Sequence, residues 1–232
     1  MTTLLLFGIL LGMRHAFEAD HVAAVATLTS RSPTLKHALK QGAVWGIGHT
    51  LSLFLFGSIV LWMDAVVPDT LAHTLELIVG MMLVILGIDV IRRLIRDRIH
   101  FHRHKHDKIE HFHAHSHAHE GPHKTSPHNH QHNDTFPIRS LLVGLMHGMA
   151  GSAALILLTL NTLQSPWMGM IYIALFGAGS IIGMAILSFA IAIPLHFSAK
   201  SLTWVHNGLQ AIVGVFTIGL GLHIVYQMGG GF

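Results

Sequence analysis

Six apolar stretches divide this chain, near residues 4–29, 38–62, 71–95, 138–162, 167–194 and 203–227. Each reaches the roughly 20 residues that a helix needs to cross about 30 Å of hydrocarbon. In lipid every backbone N–H and C=O must be satisfied internally, which leaves the helix as the structure open to segments of this length. The sequence therefore predicts an all-α integral membrane protein with six transmembrane helices. Composition agrees, with 51% hydrophobic and only 11% charged residues and a mean hydropathy of +0.56, outside the range of soluble domains. Pro68, Pro137, Pro166 and Pro194 fall at or beside the proposed ends, where a missing N–H costs least. The start, Met1-Thr2-Thr3-Leu4, lacks the basic run of a cleaved signal, so the first stretch is read as a retained span.

Lysine and arginine set the orientation. Arg31, Lys36 and Lys40 flank the first loop, Arg92, Arg93, Arg96, Arg98, Arg103, Lys105, Lys108, Lys124 and Arg139 lie in or beside the third, and Lys200 is in the fifth. Cytoplasmic loops collect positive charge, so the odd loops are expected inside and both termini outside, in a multi-pass protein of a bacterial-type inner (plasma) membrane. The net charge of +3 is spread between spans rather than gathered on one face, which argues against nucleic acid as a partner. The chain has no cysteine, excluding a disulfide framework and thiolate metal sites, and with them a soft Cu(I) carrier.

The chain also repeats itself. Leu11-Gly12-Met13-Arg14-His15-Ala16 resembles Val143-Gly144-Leu145-Met146-His147-Gly148, Gly46-Ile47-Gly48-His49 resembles Gly177-Ala178-Gly179-Ser180, and Glu76 to Gly80 with Leu86-Gly87 resembles Gln210 to Gly214 with Leu220-Gly221. The offsets are 132, 131 and 134. With three spans per half, the second half must be inverted, and a 3+3 inverted repeat is a transporter architecture with its site at the repeat interface. The expected organisation is a first three-helix repeat over 1–99, a cytoplasmic histidine-rich segment over 100–136 and a second repeat over 137–232.

Within the first span, His15-Ala16-Phe17-Glu18-Ala19-Asp20-His21 sets two imidazoles and two carboxylates at bilayer depth. Ionisable groups there are costly and mark an ion or proton path. His49 and His147 fall near the middle of their own helices, so three helices offer an imidazole at similar depth. One buried histidine reads as a hydrogen bond to a neighbouring helix. Together with Glu18, Asp20 and His21, the set is one that a first-row transition metal accepts.

On an unbroken helix His15, Glu18 and His21 share a stripe about 120° wide, Asp20 points about 140° from His15, and His15 and His21 stand about 9 Å apart. Either the helix is interrupted, around Gly12, or one ion takes a subset and His49 and His147 complete its shell. Arg14 is expected to pair with Glu18 one turn later. Gly46, Gly48, Gly144, Gly148, Gly151, Gly177, Gly179 and Gly183 give the small-residue spacing of close helix packing. Asp89 is expected to pair with Arg92 or Arg93, while His73, Glu76 and His223 read as interfacial.

Residues 100–132 hold 13 histidines, many in His-x-His alternation. Such a composition cannot bury a core and predicts disorder without metal, with His113, His115, His117 and His119 among loosely buffering ligands.

The run Arg14 to Ala24 resembles the His-x4-Asp-His signature of the nickel/cobalt permeases. Gly48-His49-Thr50 resembles their Gly-His-Ser/Thr element, and His147-Gly148-Met149-Ala150-Gly151-Ser152 is similar to the shorter urease-accessory type. Glu18 stands where larger members carry aspartate, and the chain has six predicted spans where they have eight. The resemblance implies Ni²⁺ or Co²⁺ as transported ion with no permanently bound cofactor. It also implies that His15, Asp20, His21 and His49 handle the metal, with Arg14 and Thr50 beside them. Uptake is the expected direction, since a divalent cation moving inward gains roughly 4.6 kcal/mol per 100 mV and no Gly-x4-Gly-Lys-Ser/Thr run for nucleotide is present. Efflux is the alternative, ahead of an intramembrane metalloenzyme, for which His-Glu-x-x-His is missing, or a sensor. The expected partners are the metal ion, the bilayer, and a second copy or cytosolic nickel-handling proteins.

Overall fold

The computed structural model describes residues 2–30, 32, 34–63, 68–96, 100–106, 109–115, 137–160, 165–201 and 203–229. Among these run α1 (Thr2–His15), α2 (Ala19–Thr29), α3 (Leu35–Met63), α4 (Asp69–Arg96), β1 (His100–His106), β2 (Ile109–His115), α5 (Ile138–Leu160), α6 (Pro166–Ser201) and α7 (Thr203–Gly229). By length and composition α3, α4, residues 167–198 of α6 and residues 204–229 of α7 can each cross a membrane.

The first apolar stretch is two helices rather than one. The break falls at Ala16–Glu18 and not at Gly12. Phe17 N–H donates to Arg14 O (2.9 Å) and Glu18 N–H to His15 O (3.0 Å), closing α1 with tight i→i+3 turns. Glu18 is extended (φ −64°, ψ 149°), and its carbonyl receives the first bond of α2 from Val22 N–H (2.9 Å). Asp20 in the first turn of α2 sets a carboxylate against the positive end of that helix.

Gly12 has a different task. A methyl on it would drive into the Phe176 carbonyl of α6, and one on Gly144 of α5 into the Trp45 carbonyl of α3. Both positions let backbones touch where any side chain would hold the helices apart. The extensive helix contacts are α3 with α6 and α5, α1 with α6, and α4 with α7, while α2 lies against α6, α7 and α4. Trp45, Val25, Leu28, Leu83 and Met184 belong to the main core, and Leu53, Leu61, Ile173 and Phe176 to a second cluster.

Outward faces are apolar. Ile47, Leu51, Leu55 and Ile59 form an exposed i, i+4 stripe on α3, as Met81, Ile85 and Ile88 do on α4 and Ile182, Ile186 and Ile193 on α6. Stripes of this kind on several helices are the surface that lipid covers. Trp62, Trp167 and Trp204 are exposed near helix ends, where indoles sit at the headgroup level.

One further expectation changes, and that of an Asp89–Arg93 pair holds and is extended. Pro194 does not end the fifth span, since α6 runs on through it to Ser201. Asp89 binds Arg93 Nε (3.3 Å) and also Arg139 Nη2 of α5 (2.7 Å), tying α4 to α5. In the histidine-rich segment β1 and β2 pair antiparallel, with His100 opposite His115, His102 opposite His113 and His104 opposite His111. Alternation at every second residue is the strand's own period.

Candidate metal centre

The break in the first stretch turns a linear motif into a cluster. His15 ends α1, Glu18 caps α2, and Asp20 and His21 open it. With the helix interrupted here, the His15 and His21 ring centroids lie 4.2 Å apart, where an unbroken helix would set the residues about 9 Å apart along its axis. His49 of α3 lies 5.3 Å from His15 and 5.2 Å from His21 by ring centroid. His147 of α5 lies 4.2 Å from His21 and 6.0 Å from His49. All four imidazoles are buried.

The carboxylates hold the rings from behind. Glu18 Oε1 is 3.0 Å from His15 Nδ1. Asp20 uses both oxygens, Oδ1 accepting from His21 Nδ1 and Oδ2 from His147 Nε2, each at 2.9 Å. A carboxylate can only accept, so each bonded ring nitrogen carries the proton and the other nitrogen keeps its lone pair. Those other nitrogens, His15 Nε2, His21 Nε2 and His147 Nδ1, together with both nitrogens of His49, are buried with no hydrogen-bond partner among the described residues. A buried polar atom left this way costs about 1–3 kcal/mol, which a metal ion recovers by taking the lone pair. Carboxylate, imidazole and metal in line is the usual way a protein fixes the tautomer of a ligating histidine.

Two groups can gather a ligand atom from each member within 4.8 Å of one another, His15 with His21 and His49, and Asp20 with His21 and His147. In the first the imidazoles have free nitrogens. In the second the carboxylate already bridges the two rings.

His15, Asp20, His21 and His147 of the cluster, though not His49, line a cavity of about 500 Å³ whose walls also include Arg14, Glu18, Glu76, Phe176, Gln227 and Met228. Glu76 sits early in α4 and Gln227 late in α7. The cavity thus reaches toward the helix ends opposite those carrying Arg92, Arg93, Arg96 and Arg139.

His15, Glu18, Asp20, His21, His49 and His147 therefore meet in one place. Arg14 does not pair with Glu18, whose partner is His15, because the break destroys the i, i+4 geometry; Arg14 lines the cavity instead. Thr50 turns away and donates to Gly177 O (3.1 Å), bracing α3 against α6. His113 and His115 lie in β2, while His117 and His119 lie outside the described residues. Trp45 is a member of the site that the sequence reading passed over. Its indole packs 5.3 Å from His21 and 5.6 Å from His147, and its position one turn before His49 was the available signal.

The chain matches, over residues 21–223, a family model described as the cytochrome C biogenesis protein transmembrane region. It is 35% identical over 229 residues to the urease accessory protein UreH of Bacillus sp. (strain TB-90), a match covering 99% of this chain and 93% of that protein. It is 31% identical over 101 residues to a candidate nickel/cobalt efflux system of Methanocaldococcus jannaschii, covering 42% of this chain and 45% of that one. No solved structure matches it. The chain belongs to the family of the cytochrome c biogenesis protein transmembrane region, and over nearly its whole length it is a homologue of the urease accessory protein UreH.

Proposed function

We propose that this protein carries Ni²⁺ or Co²⁺ across a membrane, and that His15, His21 and His49 hold the ion in passage. One observation carries this reading: buried imidazole nitrogens without partners converge from α1, α2 and α3, and His15 and His21 of that set line a cavity. Imidazole nitrogen is a ligand that both ions accept. A relative named as a nickel/cobalt efflux system supports the choice of cargo. In this reading Glu18 and Asp20 orient imidazoles from the second layer, and His147 is fixed by Asp20 at the edge of the site.

The reading includes a 3+3 inverted repeat. Its support is a reciprocal set of close contacts: Gly12 meets Phe176 as Gly144 meets Trp45, and Gly48 meets Leu141 as Gly179 meets Ile9. Gly80 meets Gly221 and Gly87 meets Gly214 in the same exchanged fashion. Each contact becomes its counterpart when residues are shifted by the offsets of the sequence repeat, as a two-fold axis in the membrane plane requires. With the arginine-bearing helix ends inside, both termini and the cavity mouth lie outside, and the histidine-rich segment buffers metal in the cytoplasm.

Uptake driven by the membrane potential is the favoured direction, because the charge of the cargo alone supplies the energy. The efflux name of one relative makes export the second reading. Both are tested by nickel flux in proteoliposomes with the imposed potential set inside-negative and then inside-positive. Uptake predicts faster nickel entry when the interior is negative. Flux that ignores the potential and follows an imposed proton gradient would support coupled export, and lower nickel accumulation in cells expressing the gene would exclude uptake.

A further inference from the structure

The cavity above the imidazoles is lined by three carboxylates, Glu18, Asp20 and Glu76, and by one guanidinium, Arg14; no other lining group among the described residues is formally charged once the histidines are neutral. Neutral imidazole is the form that binds metal. The cavity then carries a formal charge of −2, equal and opposite to a divalent cation. A basic side chain in the wall of a cation path is costly unless it has a task, and Arg14 does not pair with the carboxylate one turn ahead of it, Glu18 being bonded to His15.

We propose that Arg14 is the charge-setting residue of the transport cavity. It is a specificity-determining group that leaves the loaded cavity neutral with a divalent ion and charged with any other. The proposal rests on the transport reading above. Closing protein around a cavity that keeps a net charge incurs a desolvation penalty that a neutral one avoids. A monovalent cation leaves one negative charge uncompensated and a trivalent cation one positive charge. The imidazoles therefore select for transition metals and the charge count selects for valence two. Glu76 belongs to this count although it stands on α4, away from the imidazole cluster. It carries the wall charge that Arg14 balances, without itself being an expected ligand.

The test separates binding from movement. Wild type, Arg14→Gln, Glu76→Gln and the double variant are purified as full chains, nickel binding is measured by equilibrium dialysis, and nickel flux is measured in proteoliposomes. Arg14→Gln leaves the cavity at −3, so it should bind nickel at least as tightly as wild type while its flux falls by about tenfold or more. Glu76→Gln leaves it at −1, so its flux should fall too. The double variant restores −2 and should recover flux to within about threefold of wild type. Arg14→Lys, which keeps the charge in a different shape, should also move nickel, and this variant covers the case in which glutamine at residue 14 prevents folding. A double variant no better than either single one, or an Arg14→Gln protein with wild-type flux, would overturn the proposal. Wild-type vesicles that neither bind nor move nickel would instead overturn the transport reading on which it stands.

Discussion

Asp20 Oδ2 lies 2.9 Å from Nε2 of His147, a residue 127 positions further along the chain, while Oδ1 of the same carboxylate lies 2.9 Å from Nδ1 of His21. One side chain thus fixes two imidazoles from opposite halves of the protein. In the proposed reading Asp20, its oxygens engaged in this way, orients ligands rather than serving as one.

Replacing Asp20 with asparagine should therefore weaken nickel binding by about 10–100-fold, the usual cost of losing a carboxylate behind a ligating histidine, without abolishing it. Isothermal titration of the purified variant measures this. Complete loss of binding, equal to that of His21→Ala, would assign Asp20 to the metal itself.

His49 makes no hydrogen bond through either ring nitrogen among the described residues and is fully buried. His49→Leu removes no such bond and nearly conserves volume, so the protein without metal should keep or slightly raise its melting temperature. The wild type should be stabilised by about 2.7 kcal/mol when nickel is present at 100 times its dissociation constant. That gain should shrink sharply at the same nickel concentration in His49→Leu, as followed by thermal unfolding in detergent.

Close backbone contact at Gly144 and Gly12 makes a methyl intolerable at either place, whereas Gly208 and Gly219 have nothing within 4 Å of an added Cβ. Gly144→Ala and Gly12→Ala should each destabilise the protein by about 1–3 kcal/mol, and Gly208→Ala and Gly219→Ala should not. Denaturant unfolding in mixed micelles distinguishes them.

Deleting residues 100–132 removes 13 histidines without touching the helix contacts around the site. Nickel flux through proteoliposomes should persist, while the number of weakly held nickel ions per chain falls. Loss of flux would place the segment in the transport path.

Much of this was legible in the sequence because lipid leaves few choices. Apolar length marked the segments that fold as helices, and the ionisable residues His15, Glu18, Asp20, His21, His49 and His147 stood out against hydrocarbon. An interruption was one of two readings of the histidine spacing, but its place could not be read. Ala16-Phe17-Glu18 contains neither glycine nor proline, and the turn is closed by backbone bonds and by the tertiary contact of Ala16 with Gly183. From that one feature follow the approach of His21 to His15, the release of Arg14 from Glu18, and the turning of Asp20 into the cluster. Gly12 was the conspicuous candidate for a kink, yet its smallness serves α6. The role of Trp45 was visible only as a helix-face coincidence with His49. Residues brought together by different helices, such as Glu76 with Arg14, leave no trace in local pattern.

X-ray absorption at the nickel edge of the loaded protein bears most directly on the claim that imidazoles from α1, α2 and α3 hold the ion. The expected spectrum shows the outer-shell scattering of at least three imidazole ligands in the wild type, one fewer in His49→Leu, and the full wild-type number in Asp20→Asn. A shell of oxygen ligands alone, or a histidine count unchanged in His49→Leu, would contradict it.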